Sequence, residues 1–183
     1  GLAEIGLDSG QFRDAFVGST QIDGWWNSQL YADDNVYTGD VGSFNGNASD
    51  FFRSALHAAN LQTFTLGGGF FDASVIAVIG DVQTIAFQGA RNSTLLGSDL
   101  ELRENKIQTG GNLQSLSAIG DIEDLVVDVV GSATGGITAA NIVRSSIDVD
   151  NTVQNVSVTV DIRASQITAG QVQNIAAGRN IVA

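Results

Sequence analysis

Ile76-Ala-Val-Ile-Gly-Asp-Val82, Ile107-Gln-Thr-Gly-Gly-Asn-Leu113, Ile137-Thr-Ala-Ala-Asn-Ile142 and Ile167-Thr-Ala-Gly-Gln-Val172 follow one pattern. Each runs from an apolar residue through a small-residue corner and an Asn, Asp or Gln to a new apolar residue. The leading isoleucines stand 31, 30 and 30 residues apart. A copy of that length is too small to bury its own apolar side. A fixed period near thirty therefore predicts stacked copies, a solenoid.

A second motif, a small or polar corner followed by apolar-x-x-apolar, recurs beside the first. It appears at Gly39-Asp40-Val41, Ala59-Asn60-Leu61, Gly80-Asp81-Val82, Gly111-Asn112-Leu113, Gly120-Asp121-Ile122 and Gly170-Gln171-Val172. Its copies are roughly ten, twenty or thirty residues apart. Ten residues make one short strand and a corner, so three such units make one thirty-residue turn. Three stacked columns are expected: Val82, Leu113, Ile142 and Val172; Ile122, Val153 and Ile181; and Ile107, Ile137 and Ile167. The alternation Val156-Ser-Val158-Thr-Val160 places apolar side chains inside and hydroxyls outside. Parallel crossovers are overwhelmingly right-handed. The fold expected is all-β, a right-handed, three-faced parallel β-helix. Gly, Asn and Asp suit its corners, and Asp81, Asn112, Asn141 and Gln171 are read as equivalent corners able to stack as a polar ladder.

Residues 1–72 are less regular and are read as a cap or docking region merging into the regular β-helix of residues 73–183. Ser49-Asp50 before the run 51–59 reads as an N-cap and a short amphipathic α-helix, with Phe52, Ala55, Leu56 and Ala59 on one face. All thirteen aromatic residues lie at or before Phe87. The open end of a β-helix needs a cover, and an aromatic-rich region supplies one.

Composition narrows the function classes. Twenty acidic residues against eight basic ones give a net charge of −12, the reverse of what phosphate neutralisation needs. The same balance argues against anionic membrane surfaces, and no apolar run is long enough to span a bilayer. Cysteine and methionine are both absent, and the chain starts at Gly1. It is read as a processed or excised piece. Lys106 is the only lysine, and Asn, Ser, Thr and Gly abound, a composition associated with extracellular repeat proteins.

No catalytic motif stands out, so the expectation is a protein that is not an enzyme. His57, the only histidine, falls on the expected helix, with no nucleophile elbow to serve. Acidic groups gather at Asp33-Asp34-Asn35, at Asp121, Glu123 and Asp124, and at Asp148, Asp150 and Asn151. Paired carboxylates on one face can act as acid and base, whereas the plainer reading is a solvated edge. Arg103 and Lys106, with Glu101 and Glu104, form the one mixed charged run. Asp33, Asp34, Asp148 and Asp150 are weak Ca²⁺ candidates, since oxygen-rich loops suit hard cations. Their spacing matches neither an EF-hand nor a nonapeptide repeat, and no other cofactor is implied. Trp25 and Trp26 point to opposite faces if they lie on a strand, which favours packing or subunit contact over a sugar platform. Asn47, Asn92 and Asn155 begin glycosylation sequons.

The run containing Gly120-Asp-Ile-x-x-Leu125, Ile167-Thr-Ala-Gly-Gln-Val-Gln-Asn-Ile175 and Ala176-Ala-Gly-Arg-Asn-Ile181 resembles β-solenoid repeats of large bacterial secreted and cell-surface proteins of the adhesin type. The resemblance implies an extracellular structural or adhesive role and carries no functional residues across. The expected function is a self-assembling subunit of an extracellular filament or surface layer. It joins head to tail, with Ile175, Ile181 and Val182 meeting Phe12, Phe16, Trp25 and Trp26 of the next copy. The alternative is a β-helix protein that binds or cleaves a polysaccharide.

Overall fold

In the computed structural model the described residues are 11–14, 16–22, 25–26, 29–32, 40–46, 50–52, 54–93 and 105–182, with side chains from Val41 onward. They form an all-β parallel β-solenoid with no α-helix among them.

Strand pairing runs in three ladders. Ladder A stacks Gln11–Asp14, Gln29–Ala32, Ala55–Ala58, Val75–Val78, Lys106–Thr109, Val126–Val129 and the first part of Ser146–Val158. Ladder B stacks Phe16–Ile22, Asp40–Gly46, Leu61–Leu66, Val82–Phe87, Leu113–Ala118, Ile137–Ala139 and the last part of Ser146–Val158. Gln166–Ala177 covers both of these parts of Ser146–Val158, which joins ladders A and B into one 14-stranded sheet. Ladder C stacks Trp25–Trp26, Phe51–Phe52, Phe70–Asp72, Gly89–Arg91, Ile122–Glu123, Ile142–Val143, Asp161–Arg163 and Asn180–Val182, an 8-stranded sheet. The same ladders thus run through the residues before 72.

The coil does not repeat at thirty. Val41, Leu61, Val82, Leu113, Ala133, Val153 and Val172 lie on one column, seven rungs and six turns. The repeat is therefore about twenty residues, and the one 31-residue step, Val82 to Leu113, carries the additional stretch between Arg91 and Lys106. The columns expected from the sequence are corrected accordingly. Ile107 and Ile167 share a column, but Val127 and Ile147 lie between them, and Ile137 belongs beside Leu116 and Val156. Ile142 stacks between Ile122 and Ile162, with Ile181 beyond, and Val153 lies elsewhere. The cause is two corners of the same small–Asx–apolar chemistry that recur in different coils. One precedes ladder B (Asp81, Asn112) and the other precedes ladder C (Asp121, Asn141). A thirty-residue step from one of these corners lands on the other.

Residues 51–59 are corrected from helix to strand. Ser54 turns the chain between Phe51–Phe52 and Ala55–Ala58, and the latter alternates inward Leu56 and Ala58 with outward Ala55 and His57. A short apolar run satisfies a helical face or a strand equally well. Parallel neighbours on both sides decide for the strand.

Each corner carries its own polar run between coils. Before ladder B, the Asp81 N–H donates to Asn60 Oδ1 (3.0 Å), the Asn112 N–H to Asp81 Oδ1 (2.7 Å) and the Ser132 N–H to Asn112 Oδ1 (3.0 Å). Before ladder C, Asn141 Nδ2 donates to Asp121 Oδ1 (2.7 Å), the Asp161 N–H to Asn141 Oδ1 (3.1 Å) and the Asn180 N–H to Asp161 Oδ1 (3.1 Å). Before ladder A, serine does the work: the Ser54 N–H donates to Ser74 Oγ (3.0 Å) and the Ser145 N–H to Ser165 Oγ (3.1 Å). These bonds satisfy corner donors that would otherwise be stranded at the edge of an apolar interior. The core inside is continuous from Val41 to Ile162. Ile107, Ile137, Val82, Leu113, Ile122 and Val153 are buried, whereas Ile167 is only partly covered and Val172 is 44% exposed.

Candidate functional site

Chemistry-bearing residues sit on the corners and outer faces of this scaffold. Asp121 accepts the Asn141 amide in the corner before ladder C. Asp124 lies between ladders C and A, where Arg144 from the next coil grips it with Nε on Oδ1 and Nη2 on Oδ2, both 2.9 Å, and reaches Glu123 at 3.5 Å. Those carboxylates hold the guanidinium pKa above its usual value, the hydrogen bond to Asp124 most of all. Asp148 stands exposed on the outer side of ladder A, between Asp128 and Thr168 in register, and Asp150 is exposed further along the same strand. Lys106 pairs with Asp128 at 3.5 Å. The acidic candidates are therefore spread over two corners and one face. Asp33, Asp34, Tyr37, Asn47, Glu101, Arg103 and Glu104 lie outside the described residues.

His57 is on a strand, half-buried on the outer side of ladder A, and that burial lowers its pKa. Among the described residues no three His, Cys, Asp or Glu side chains gather in a group able to hold a metal ion. From Val41 onward each described lysine and arginine is engaged by an aspartate: Arg91 by Asp50 and Asp72, Arg163 and Arg179 by Asp161, besides the two pairs above. Of the sequons, Asn92 is buried and Asn155 is exposed, where it accepts from Asn174 Nδ2 at 3.3 Å.

A surface depression of about 560 Å³, open to solvent, is lined by Asp124, Val126, Arg144, Ser145, Ser165 and Gln166 among others. Its floor is the corner where Asp124, Arg144 and Ala164 follow one another with φ of 52°, 48° and 48°. Ala73, at 49°, holds the equivalent place nearer the N-terminus. Left-handed backbone at non-glycine residues is uncommon, and its recurrence at Ala73, Asp124, Arg144 and Ala164 marks this as the sharp bend of these coils. Serine at 54, 74, 145 and 165 was the sequence signal for this third corner. The depression offers hydroxyls and an already paired guanidinium, which suits hydrogen bonding and provides no acid–base pair.

The other exposed feature is the coil of residues 166–182. Among the described residues, Gln166–Ala177 and Asn180–Val182 each pair on one side only. Ile181 is 61% exposed, Val172 and Val182 are exposed too, and Ile175 is partly buried against the core. At the opposite end Phe12, Phe16, Trp25 and Trp26 lie on strands, with Trp25 opposite Phe51 and Trp26 opposite Phe52. Their side chains lie outside the described residues.

No protein family, no curated protein and no solved structure matches this chain.

Proposed function

We propose that the chain is a structural, self-assembling subunit of an extracellular filament or surface layer, wound as a right-handed, three-sided coil and joined head to tail. The observation that supports this reading most is the coil of residues 166–182. The columns Ile147–Ile167, Val156–Ile175 and Ile162–Ile181 run into it in register. Its outer edge carries a row of backbone donors and acceptors, with neither proline nor lysine to blunt it. A coil of the same geometry completes both sets of contacts, and the early strands Phe16–Ile22 and Trp25–Trp26 of another copy supply one. Such a contact is heterologous and does not close on itself, so it grows a filament. Composition supports the extracellular setting, with one lysine and abundant Asn, Ser, Thr and Gly among 183 residues.

Appending a Lys/Pro-rich tail after Ala183 leaves the fold intact and stops polymerisation in negative-stain images. A chain that stays a monodisperse monomer at high concentration without the tail overturns the reading.

A further inference from the structure

The outer side of ladder B differs from the rest of the surface. Every stretch of it from Val41 to Gly46 and from Leu61 to Ala177 lacks a charged residue: Leu61–Leu66, Val82–Phe87, Leu113–Ala118, Ile137–Ala139 and the ends of the two long strands. The outward positions are mostly hydroxyls and amides in register, with Ala86 and Ala176 among them. Ser43, Thr63, Thr84 and Ser115 form one row, and Ser117, Thr138 and Ser157 continue a second. Exposed Gln62, Gln83 and Gln114 flank the first. The ion pairs lie elsewhere, along ladder C and its corners and on Lys106 of ladder A.

We infer that this face pairs two copies of the chain laterally about a two-fold axis. Charge argues for a second copy. With −12 on each chain, two copies repel wherever acidic surface meets acidic surface, and this face is a broad strip on which no charges oppose. Chemistry argues for it as well. Hydroxyls and amides both donate and accept, so the same patch is complementary to itself, as an isologous contact requires. Rows of amides on stacked strands are also the groups that zip sheets together.

The side chains are already tied between rungs, which reduces the ordering cost of association. Thr138 Oγ1 donates to Ser117 Oγ at 3.2 Å and Ser115 Oγ reaches Thr84 Oγ1 at 3.5 Å. Seven rungs about 4.8 Å apart and six residues at about 3.3 Å each make a face of roughly 600 Å². Two such faces bury roughly 1,200 Å², the lower end of specific interfaces. Ile119, 75% exposed, directly follows Leu113–Ala118 and adds an apolar margin. The contact rests on the structural reading above only in taking the partner to be the same chain, since it uses a face and not an end.

Because the chain has no cysteine, a single introduced thiol reports the contact. Ser115 stands on the middle rung, nearest the axis. In the full chain carrying the C-terminal Lys/Pro tail, sedimentation gives a dimer. Ser115→Cys oxidises to a covalent dimer at least tenfold faster than Gln108→Cys on ladder A. The double change Thr84→Glu and Ser115→Glu weakens the dimer at least tenfold, and without the tail it still grows single filaments. A monomeric tailed chain, or equal crosslinking at positions 115 and 108, overturns the inference. So does a monomer whose ladder B becomes protected from hydrogen exchange only on insoluble cellulose, which would give the face to a carbohydrate surface. Dimers that persist while filaments never form sink the head-to-tail contact and leave this one standing.

Discussion

The coils before Gln88 and those after it solve the same packing problem with different side chains. In the first group, Phe44 and Phe64 stack 4.9 Å apart along ladder B, and Phe51 and Phe71 stack 5.8 Å apart along ladder C. The two columns meet edge to face at 5.2–6.1 Å. In the second group the same positions hold Leu116, Ile137 and Val156 opposite Ile122, Ile142 and Ile162. Register passes unbroken from one to the other, Phe64 to Ile85 to Leu116. The backbone spacing and the polar corners hold the register, and the interior only has to be filled. Stacked rings suit that spacing because parallel strands about 4.8 Å apart bring rings in register into offset contact.

The handover shows how volume is exchanged. Phe71 is followed in register by Ala90, too small to cover a ring, yet Phe71 stacks on Phe87 from the neighbouring ladder, 5.9 Å away. Phe87 therefore occupies the volume that Ala90 leaves. Phe87→Ala opens a cavity at the junction and costs about 3–5 kcal/mol, the largest effect expected here. Adding Ala90→Phe restores part of it, with a coupling of about 1–3 kcal/mol. Denaturant titration of both single variants and the double tests this. Additive losses would mean that the halves pack independently. Stability in stacked repeats is a sum of neighbour terms, so hydrogen exchange should place the loss in the coils on either side of residue 87.

The solenoid itself, the ten-residue spacing of the Asx corners and most inward apolar positions were legible in the sequence, because a small–Asx–apolar corner prints the same letters each time. What each spacing holds was not: it was read as one strand and a corner, three to a coil, whereas residues 122–131 hold two strands, Ile122–Glu123 and Val126–Val129. Gly111-Asn112-Leu113 and Gly120-Asp121-Ile122 look alike and sit on different corners, while the third corner, marked only by a serine and a left-handed residue, gave no apolar cue. The insertion after Arg91 then made a 31-residue step real at one place, which reinforced thirty as the period. The helix read into 51–59 failed for a related reason: Phe52, Ala55, Leu56 and Ala59 are spaced for a helical face, but the same short run also places Phe51, Leu56 and Ala58 inward on two strands around a serine bend, and that is what forms. Of the site residues, the carboxylates were visible but not their partners. Asp124 and Arg144 are twenty residues apart and meet only because that is one coil.

The left-handed corner offers a finer comparison of the two groups. Ala73 is buried in the aromatic half, and Ala164 is exposed in the aliphatic half, at nearly the same φ. Left-handed backbone costs a non-glycine residue about 1–2 kcal/mol, against about 0.5–1 kcal/mol of extra chain entropy lost by glycine. Ala164→Gly therefore stabilises by about 0.5–1 kcal/mol. At Ala73 the lost methyl burial, about 0.8 kcal/mol, cancels the gain, so Ala73→Gly is neutral. Thermal unfolding should show a rise of a few degrees for the first and none for the second. Equal shifts would show that burial at this corner counts for nothing.

The smallest effect expected is one of pH, and it belongs to the aromatic half, which holds the only histidine. His57 is half-buried on the outer side of Ala55–Ala58, and desolvation disfavours its charged form, so its pKa lies below the ordinary 6.5. Above that value both folded and unfolded chains carry a neutral ring, and the histidine does not affect stability. As pH falls below 6.5 the unfolded chain takes up a proton first, so folding loses stability through that window. The loss levels off once the folded ring is protonated too. Replacing the ring by an amide, His57→Gln, removes this slope while leaving a polar group on the outer face. Denaturant midpoints for both chains between pH 7.5 and 5 measure the difference. A histidine chain that gains stability on acidification relative to His57→Gln would mean that a carboxylate holds the imidazolium in the folded state, the reverse of what burial at this position dictates.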